Sequence, residues 1–454
     1  MRTVSDVIAA AATPLMPSAI GILRVSGEGC FDVASRVFQT KTPIAELPPH
    51  RLTRGRLLDE RGRMIDDALI AVSRAPHSYT GEDTVELQCH GSPAVLAAGL
   101  RALFAAGARQ ALPGEFTKRA FLNGRMDLTQ AEAVADLIDA DTADAAANAS
   151  AQIGGALREV IDPIYDGLID LLAHFHAVLD YPDEELEPFA LTAHRENAEK
   201  WMRKLSALAR TFDRGQVLKS GVRAVIVGSP NVGKSSLLNA LAGFSRVIVA
   251  DVAGTTRDAV EETVLLGGIK VRLLDTAGIR ETADGVEEMG VEIARRSAEN
   301  ADLALYVCDG SRPLTDDDLL AAAEAKKAKR CVALINKSDL PQAVSPAALP
   351  FETVLSVSAK TGAGLDELAR TVGAWYGGGA PCDGGILTNA RQQAAVTTAS
   401  EALSRLIAAT DGGVTPDAAL LDAEAALSAL GELNGKTMRE EIVSRIFERF
   451  CVGK

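Results

Sequence analysis

Aromatic side chains make up only 4% of this chain, and cysteine occurs six times in 454 residues. Those six are Cys30, Cys89, Cys308, Cys331, Cys382 and Cys451, and none forms a Cys-x-x-Cys metal pair. Scattered single cysteines in a long chain read as reduced thiols in the cytosol rather than as a disulfide framework. No apolar run approaches the roughly 18–20 residues of a membrane span. The start, Met-Arg-Thr-Val-Ser-Asp, leads only to an Ala-rich run broken by Pro14 and Pro17, unlike a signal peptide. A positive surplus is missing too, since 47 Lys and Arg face 61 Asp and Glu for a net charge of −14. That disfavours a generic nucleic-acid binder, because phosphate contacts need clustered cations. An RNA substrate would need a local basic patch or a partner protein. The expectation is a soluble, cytoplasmic protein with no membrane partner.

Hydrophobic residues (47%) and charged residues (24%) are in globular proportion. The length exceeds what one core serves, so two or three domains are expected. Residues 1 to about 118 alternate short strand-like runs (Ile20–Val25, Ala68–Val72, Thr84–Leu87) with turns and short helices, an α+β pattern. From about 119 to 216 the pattern is helical. Ile153, Leu157, Val160, Ile164, Leu168, Leu171, Phe175 and Val178 form one stripe, with Pro163 marking either a new helix or a kink. Residues 222 to about 375 alternate aliphatic strands (Val222–Val227, Val271–Leu274, Leu303–Val307, Val332–Ile335, Thr353–Val357) with helical stretches, as in a mostly parallel sheet covered on both faces. After Leu387 the pattern is helical again, with Ile442, Ile446 and Phe450 on one stripe. The simplest architecture inserts an α/β module, 217–380, into a helical domain made of 119–216 and 381–454, preceded by an α+β domain, 1–118. Two independent helical domains are the alternative, disfavoured because the last segment is small for its own core.

Gly228-Ser-Pro-Asn-Val-Gly233-Lys234-Ser235 follows one of those strands and precedes a helix start, the setting a P-loop requires. Such a loop cradles phosphates on backbone N–H groups, with Lys234 reaching the terminal phosphates and Ser235 ligating Mg²⁺. Asn231, Val232, Gly233 and Ser236 belong to the same nucleotide contact surface. Asp275-Thr276-Ala277-Gly278 ends an apolar strand, where Asp275 can hold the metal through water and the Gly278 N–H can sense the γ-phosphate. Gly254-Thr255-Thr256-Arg257-Asp258 lies where a switch loop would supply a hydroxyl. Asn336-Lys337-Ser338-Asp339 follows another strand, and its carboxylate can accept two parallel bonds from the N1 and N2 edge of guanine, which adenine lacks. Ser358-Ala359-Lys360 completes the base pocket. Five tetrads in register make a GTP site. Ile279, directly after the Asp-x-x-Gly, cannot orient water as a glutamine would.

The P-loop asparagine, Val249–Asp258 and Asp275–Glu287 resemble the MnmE (TrmE) family of tRNA-modification GTPases, within the TrmE-Era-EngA-YihA-Septin-like superfamily. So do Ser78-Tyr-Thr-Gly-Glu-Asp83, Pro113–Gly124 and the terminus Phe450-Cys-Val-Gly-Lys454, so the resemblance spans the chain. It implies a folate-binding-like N-terminal domain, a discontinuous helical domain and an inserted Ras-like G domain. It implies K⁺ held by Asn231, Ala250, Val252 and Thr255 as two G domains meet, with Thr256 joining Ser235 on Mg²⁺. Asp251, Ala253 and Gly254 complete the loop around GTP, and Glu287 would orient the attacking water through a second water. A 5-formyl- or methylene-tetrahydrofolate would lie against Arg24, Glu86, Arg125 and Lys454. Many family members carry Lys where this chain has Arg125, which keeps the charge but changes the geometry. The implied partners are a second copy of the chain, the FAD-dependent protein MnmG in a heterotetramer, and tRNA, modified at C5 of the wobble uridine. A ribosome-assembly GTPase and a GTP-gated scaffold with little turnover are the competing classes; the first typically adds a basic RNA-binding appendage, which the acidic helical ends here lack.

Overall fold

The computed structural model describes residues 6–180, 191–244, 261–274, 299–378, 383–411, 416–436, 446–447 and 450–453. It divides into two compact units. One holds residues 1–135, 152–202 and 398–454, and the other holds 136–151 and 203–397.

The first unit contains a seven-stranded sheet built from β1 (Ile8–Ala11), β2 (Ser18–Ser26), β3 (Phe38–Gln39), β4 (Thr53–Leu58), β5 (Met64–Ser73), β6 (Thr84–Gly91) and β7 (Arg109–Gln110). The order is β3-β4-β5-β6-β2-β1-β7, antiparallel except where β7 runs parallel to β1. Alternate residues of β5 and β6 enter the core (Ala68, Ile70, Val72; Val85, Leu87, Cys89), as the two-residue period of a half-buried strand requires. Helices α1 (Cys30–Val37) and α2 (Pro93–Ala105) cover that face with Val33, Ala34, Leu96 and Leu103. Next come α3 (Glu115–Leu122), α4 (Leu128–Ile138), whose last residues join the other unit, and α5 (Ala143–Ile153).

α6 (Ala156–Asp180) is one continuous helix with Pro163 inside it, which decides between the two sequence expectations. Leu157, Ile161, Ile164, Leu168, Leu171 and Phe175 are its buried face. The stripe does not extend back to Ile153, because that residue ends α5 and Gly155 (φ 98°) breaks the helix between them. α7 (Leu191–Ala209) follows, and α13 (Pro416–Asn434), from beyond the nucleotide module, packs against α6. Near the C-terminus Phe447 is the buried residue, with Ile446 and Phe450 half-buried around it; Ile442 lies outside the described residues.

The second unit centres on β8 (Val222–Val227), β9 (Glu261–Leu266), β10 (Ile269–Leu274), β11 (Leu303–Asp309), β12 (Arg330–Asn336) and β13 (Val354–Ser356). The order β13-β12-β11-β8-β10-β9 is parallel throughout except for β9, which is antiparallel to β10 across the Gly267-Gly268 turn. Both turn glycines have positive φ (59° and 82°), as a tight two-residue hairpin demands. All of β11 is buried, the mark of a strand covered on both faces. One face packs against α9 (Lys234–Phe244) and α11 (Leu365–Tyr376), the other against α10 (Asp316–Ala325). This strand order, with a single antiparallel edge strand, is that of a Ras-like G domain. Flanking it in the same unit are α5, α8 (Phe212–Ser220) and the start of α12 (Ala390–Asp411).

Candidate functional site: a guanine-nucleotide pocket

The P-loop leaves β8 and runs into α9, with its shape fixed by neighbours on both sides. A Cβ at Gly228 would come within 2.3 Å of the Val307 carbonyl oxygen, so no side chain fits there. Asn231 (φ 62°) and Gly233 (φ 99°) adopt left-handed backbone, turning successive N–H groups inward as an anion nest requires. Val232 is buried under the loop, whereas Asn231, Ser235 and Ser236 are exposed. Lys234, the first residue of α9, donates from Nζ to the Gly228 and Ser229 carbonyls, each at 2.7 Å. Its ammonium is thereby held over the loop where phosphate charge is cradled.

Asn336, at the C-terminal end of β12 and 2% exposed, knots the pocket together. Its Nδ2 donates to the Val232 carbonyl (2.9 Å), and its Oδ1 accepts from the Ala359 N–H (3.0 Å). The P-loop and the Ser358-Ala359-Lys360 loop are therefore spaced by one amide. A Cβ at Gly233 would lie 2.4 Å from that Nδ2, which explains the glycine independently of its φ. Asp339 is exposed and accepts a 2.7 Å bond from the Ser358 hydroxyl, which lowers its pKa and keeps it ionised for a base edge carrying two donors. Lys337 (φ 63°) reaches away from Asp339 and pairs with Asp309 at 2.6 Å. Burial opposes charge on Asp309, but Lys337 and both donors of Ser311 outweigh it, and its pKa is lowered. The structure thus brings Asn231–Ser236, Asn336, Lys337, Asp339 and Ser358–Lys360 to one end of the parallel sheet, where such folds bind ligands.

In the N-terminal sheet, Arg24 on β2 and Glu86 on β6 are directly opposite and share a salt bridge, Nη2 to Oε1 at 2.9 Å. The guanidinium also lies 5.4 Å from the ring centre of Tyr79 and 5.7 Å from that of Phe116. Arg125 donates from Nε to the Ser78 carbonyl (3.1 Å) and lines Gly81. The chain terminus returns here. Val452 bridges Pro113, and a Cβ on Gly453 would meet the Ala11 carbonyl oxygen, on the strand that pairs Ala10 with Arg24. Lys454 itself lies outside the described residues.

The model for the MnmE helical domain matches residues 128–451, and that for the GTP-binding protein TrmE N-terminus matches residues 7–125. The chain belongs to the MnmE family. Among its relatives, the tRNA modification GTPase MnmE of Roseiflexus sp. (strain RS-1) is 42% identical over 99% of both chains. That of Heliobacterium modesticaldum is 43% identical over 99% of this chain and all of its own, and that of Aquifex aeolicus is 41% identical over 98% and 99%.

Several positions expected of an MnmE-family site lie outside the described residues: Ala250, Asp251, Val252, Ala253, Gly254, Thr255 and Thr256, then Asp275, Thr276, Ala277 and Gly278, and Glu287. The structure adds one group that the motifs did not reveal. Asp318, in the first turn of α10 and 1% exposed, accepts the hydroxyl of the P-loop Ser229. It also accepts from Arg312 Nη1 (3.0 Å) and from the backbone N–H (2.9 Å) and hydroxyl (2.8 Å) of Thr315. Burial disfavours its charge, yet these donors together hold its pKa below the ordinary carboxylate value. The only trace of this in the sequence is Thr315-Asp-Asp-Asp318, a helix-capping spacing.

Proposed function

We propose that this chain is the GTP-hydrolysing component of a tRNA-modifying enzyme. With the FAD-dependent partner MnmG, it acts to install a carboxymethylaminomethyl or aminomethyl group at C5 of the wobble uridine of certain tRNAs. The observation that carries the reading is the Asn336 knot, which spaces a phosphate loop from a loop that positions an acid for guanine. In this reading residues 1–118 form a folate-binding and dimerisation domain, 119–216 with 381–454 a helical domain, and 217–380 the inserted G domain. The packing of α13 on α6 supports a helical domain that resumes after the insertion.

GTP binds with its phosphates on the P-loop N–H groups and Lys234, and its base between Asp339 and the Ser358–Lys360 loop. Ser235 and Thr256 hold Mg²⁺, which suits the exposed hydroxyl of Ser235 in the first turn of α9. Asn231, Ala250, Val252 and Thr255 hold K⁺. The Asn231 amide is exposed and bonds no other described residue, so it is not serving as a loop cap. When bound, the monovalent cation would supply positive charge to offset the negative charge that grows on the phosphate oxygens in the transition state. Glu287 orients water, and Asp275 and Gly278 read the γ-phosphate. In the N-terminal domain, the half-exposed Arg24–Glu86 pair between two aromatic faces suits a flat pterin with adjacent donors and a carboxylated tail. Arg125 and Lys454 complete that tetrahydrofolate site.

GTP turnover in KCl against NaCl tests the reading. Potassium-selective stimulation that disappears in Asn231→Ala supports it, and equal, slow rates in both salts would favour a GTP-gated scaffold. Transfer RNA from a deletion strain should lack the wobble modification.

A further inference from the structure

At the opposite end of the parallel sheet from the nucleotide loops lies a groove of about 830 Å³, where β8, β11 and β12 begin. Arg214, Arg223, Arg272, Lys329 and Arg330 line it, against only two carboxylates, Asp213 and Asp302. Five cations in one groove stand out in a chain of net charge −14. Asp302 is shared: Lys329 meets one of its oxygens at 3.0 Å and Arg223 the other at 3.4 Å. The Arg330 guanidinium meets no carboxylate among the described residues. It lies instead 5.4 Å from the ring centre of Trp375 and 5.5 Å from that of Tyr376, at the end of α11. Tyr376 is anchored by a 2.8 Å bond from its hydroxyl to the Asp302 carbonyl oxygen, so the aromatic platform is held in place.

We propose that this groove binds RNA, its cations on backbone phosphates and its Arg330–Trp375–Tyr376 platform against a base. Clustered cations beside fixed aromatic faces are what single-stranded RNA needs, because every base offers a π-face while the phosphates supply the affinity. An acidic peptide would use the cations and leave the platform without a planar partner. The proposal rests on the tRNA-modification reading and deepens it, supplying the basic patch that the overall charge does not.

The test is binding of unmodified tRNA to the full chain at several salt concentrations, for the parent and for Lys329→Gln/Arg330→Gln. Both side chains are exposed, so the double variant should fold, and unchanged GTP affinity would confirm that it has. Each phosphate contact is worth about five-fold in affinity near 0.15 M salt. Lys329 should therefore account for about five-fold and for a salt slope shallower by about 0.7–0.9, and loss of the Arg330 face beside the base for about another five-fold or more, about 25-fold in all. In a Trp201→Phe background, tRNA should quench Trp375 fluorescence, and heparin, which has charge but no bases, should not. Equal affinity and salt slope in both proteins, no tRNA binding by the parent, or equal quenching by heparin would each overturn the RNA assignment. A deletion strain whose tRNA still carries the wobble modification would instead overturn the underlying reading, so the two failures are distinct.

Discussion

Replacing Asn336 by alanine should weaken the G domain before any nucleotide is added. The change removes two hydrogen bonds at once and leaves the Val232 carbonyl and the Ala359 N–H without that partner. Val232 is fully buried and Asn336 itself only 2% exposed, so water cannot readily replace the amide. An unmade bond of this kind costs about 1–3 kcal/mol, so the pair should cost about 2–6 kcal/mol. At 3 kcal/mol the folding equilibrium shifts by a factor of about 150. Trp375 is half-buried against the G-domain core and serves as the probe once Trp201 is changed to Phe. Urea unfolding of the nucleotide-free protein should then show a lower midpoint at nearly unchanged slope. GTP affinity should fall as well, since the two loops lose their spacing. If affinity collapsed while the nucleotide-free midpoint stayed within 0.5 kcal/mol of the parent, Asn336 would be a base contact only, and the knot would be wrong.

Asp339→Ala should behave in the opposite way, because the residue is exposed and has one internal partner. The urea midpoint should hardly move, while isothermal titration should show preference for GTP over ATP falling by at least a thousand-fold, toward parity. Gly233→Ala meets both a positive φ and the Asn336 Nδ2 at 2.4 Å, and should abolish measurable GTP binding while lowering the melting temperature. Asp318 and Asp309 both have lowered pKa values in the folded chain. Their stabilisation is fully present above the unfolded carboxylate value, about 4, and is lost as pH falls through the folded values below that. The Trp375 urea midpoint should fall steeply below about pH 4, and Asp318→Asn should lower it at pH 7 and flatten that fall.

The nucleotide motifs were legible because each is a backbone problem with one residue-level answer. A loop that turns N–H groups inward needs Gly233, and a pocket that selects guanine needs an acid at Asp339. The buried parallel strands announced themselves for a related reason, since β11 and β12, covered on both faces, leave an unbroken aliphatic run. Other elements stayed hidden where local composition disagreed with the final packing. β1 is Ile-Ala-Ala-Ala, poor in strand-forming residues, yet Ile8, Ala9 and Ala10 are fully buried because neighbouring strands hold it on both sides. β4 reads Thr-Arg-Gly-Arg-Leu-Leu, and the close approach of Phe38 to Gly55 is what admits it to the sheet. β9 was missed as well, although the Gly267-Gly268 pair ahead of the aliphatic run at 271–274 is a local hairpin signal that could have revealed it. Asp318 was invisible for a different reason: its partners Ser229 and Arg312 are 89 and 6 residues away, and nothing local joins them.

β12 bears on how the two ends of the G domain relate. It starts at Arg330, in the basic groove, and ends at Asn336, in the nucleotide pocket, about 20 Å apart at the rise of a β-strand. Ala333 to Ile335 between them are buried and paired on both sides, by β11 and β13. A strand held this way is a rigid spacer, since sliding it by one residue would turn its buried faces inside out. Occupancy of the groove therefore has no route to the base pocket through β12. β10 is paired on both sides as well, by β8 and β9, so coupling between RNA and GTP would need a side chain with two arrangements, and Arg272, which β10 carries into the groove, is the candidate. If that is the route, Lys329→Gln/Arg330→Gln should weaken tRNA binding without altering GTP turnover in the absence of tRNA. Arg272→Gln should instead reduce any change in GTP affinity that tRNA produces, and by linkage the reciprocal effect of GTP on tRNA by the same factor.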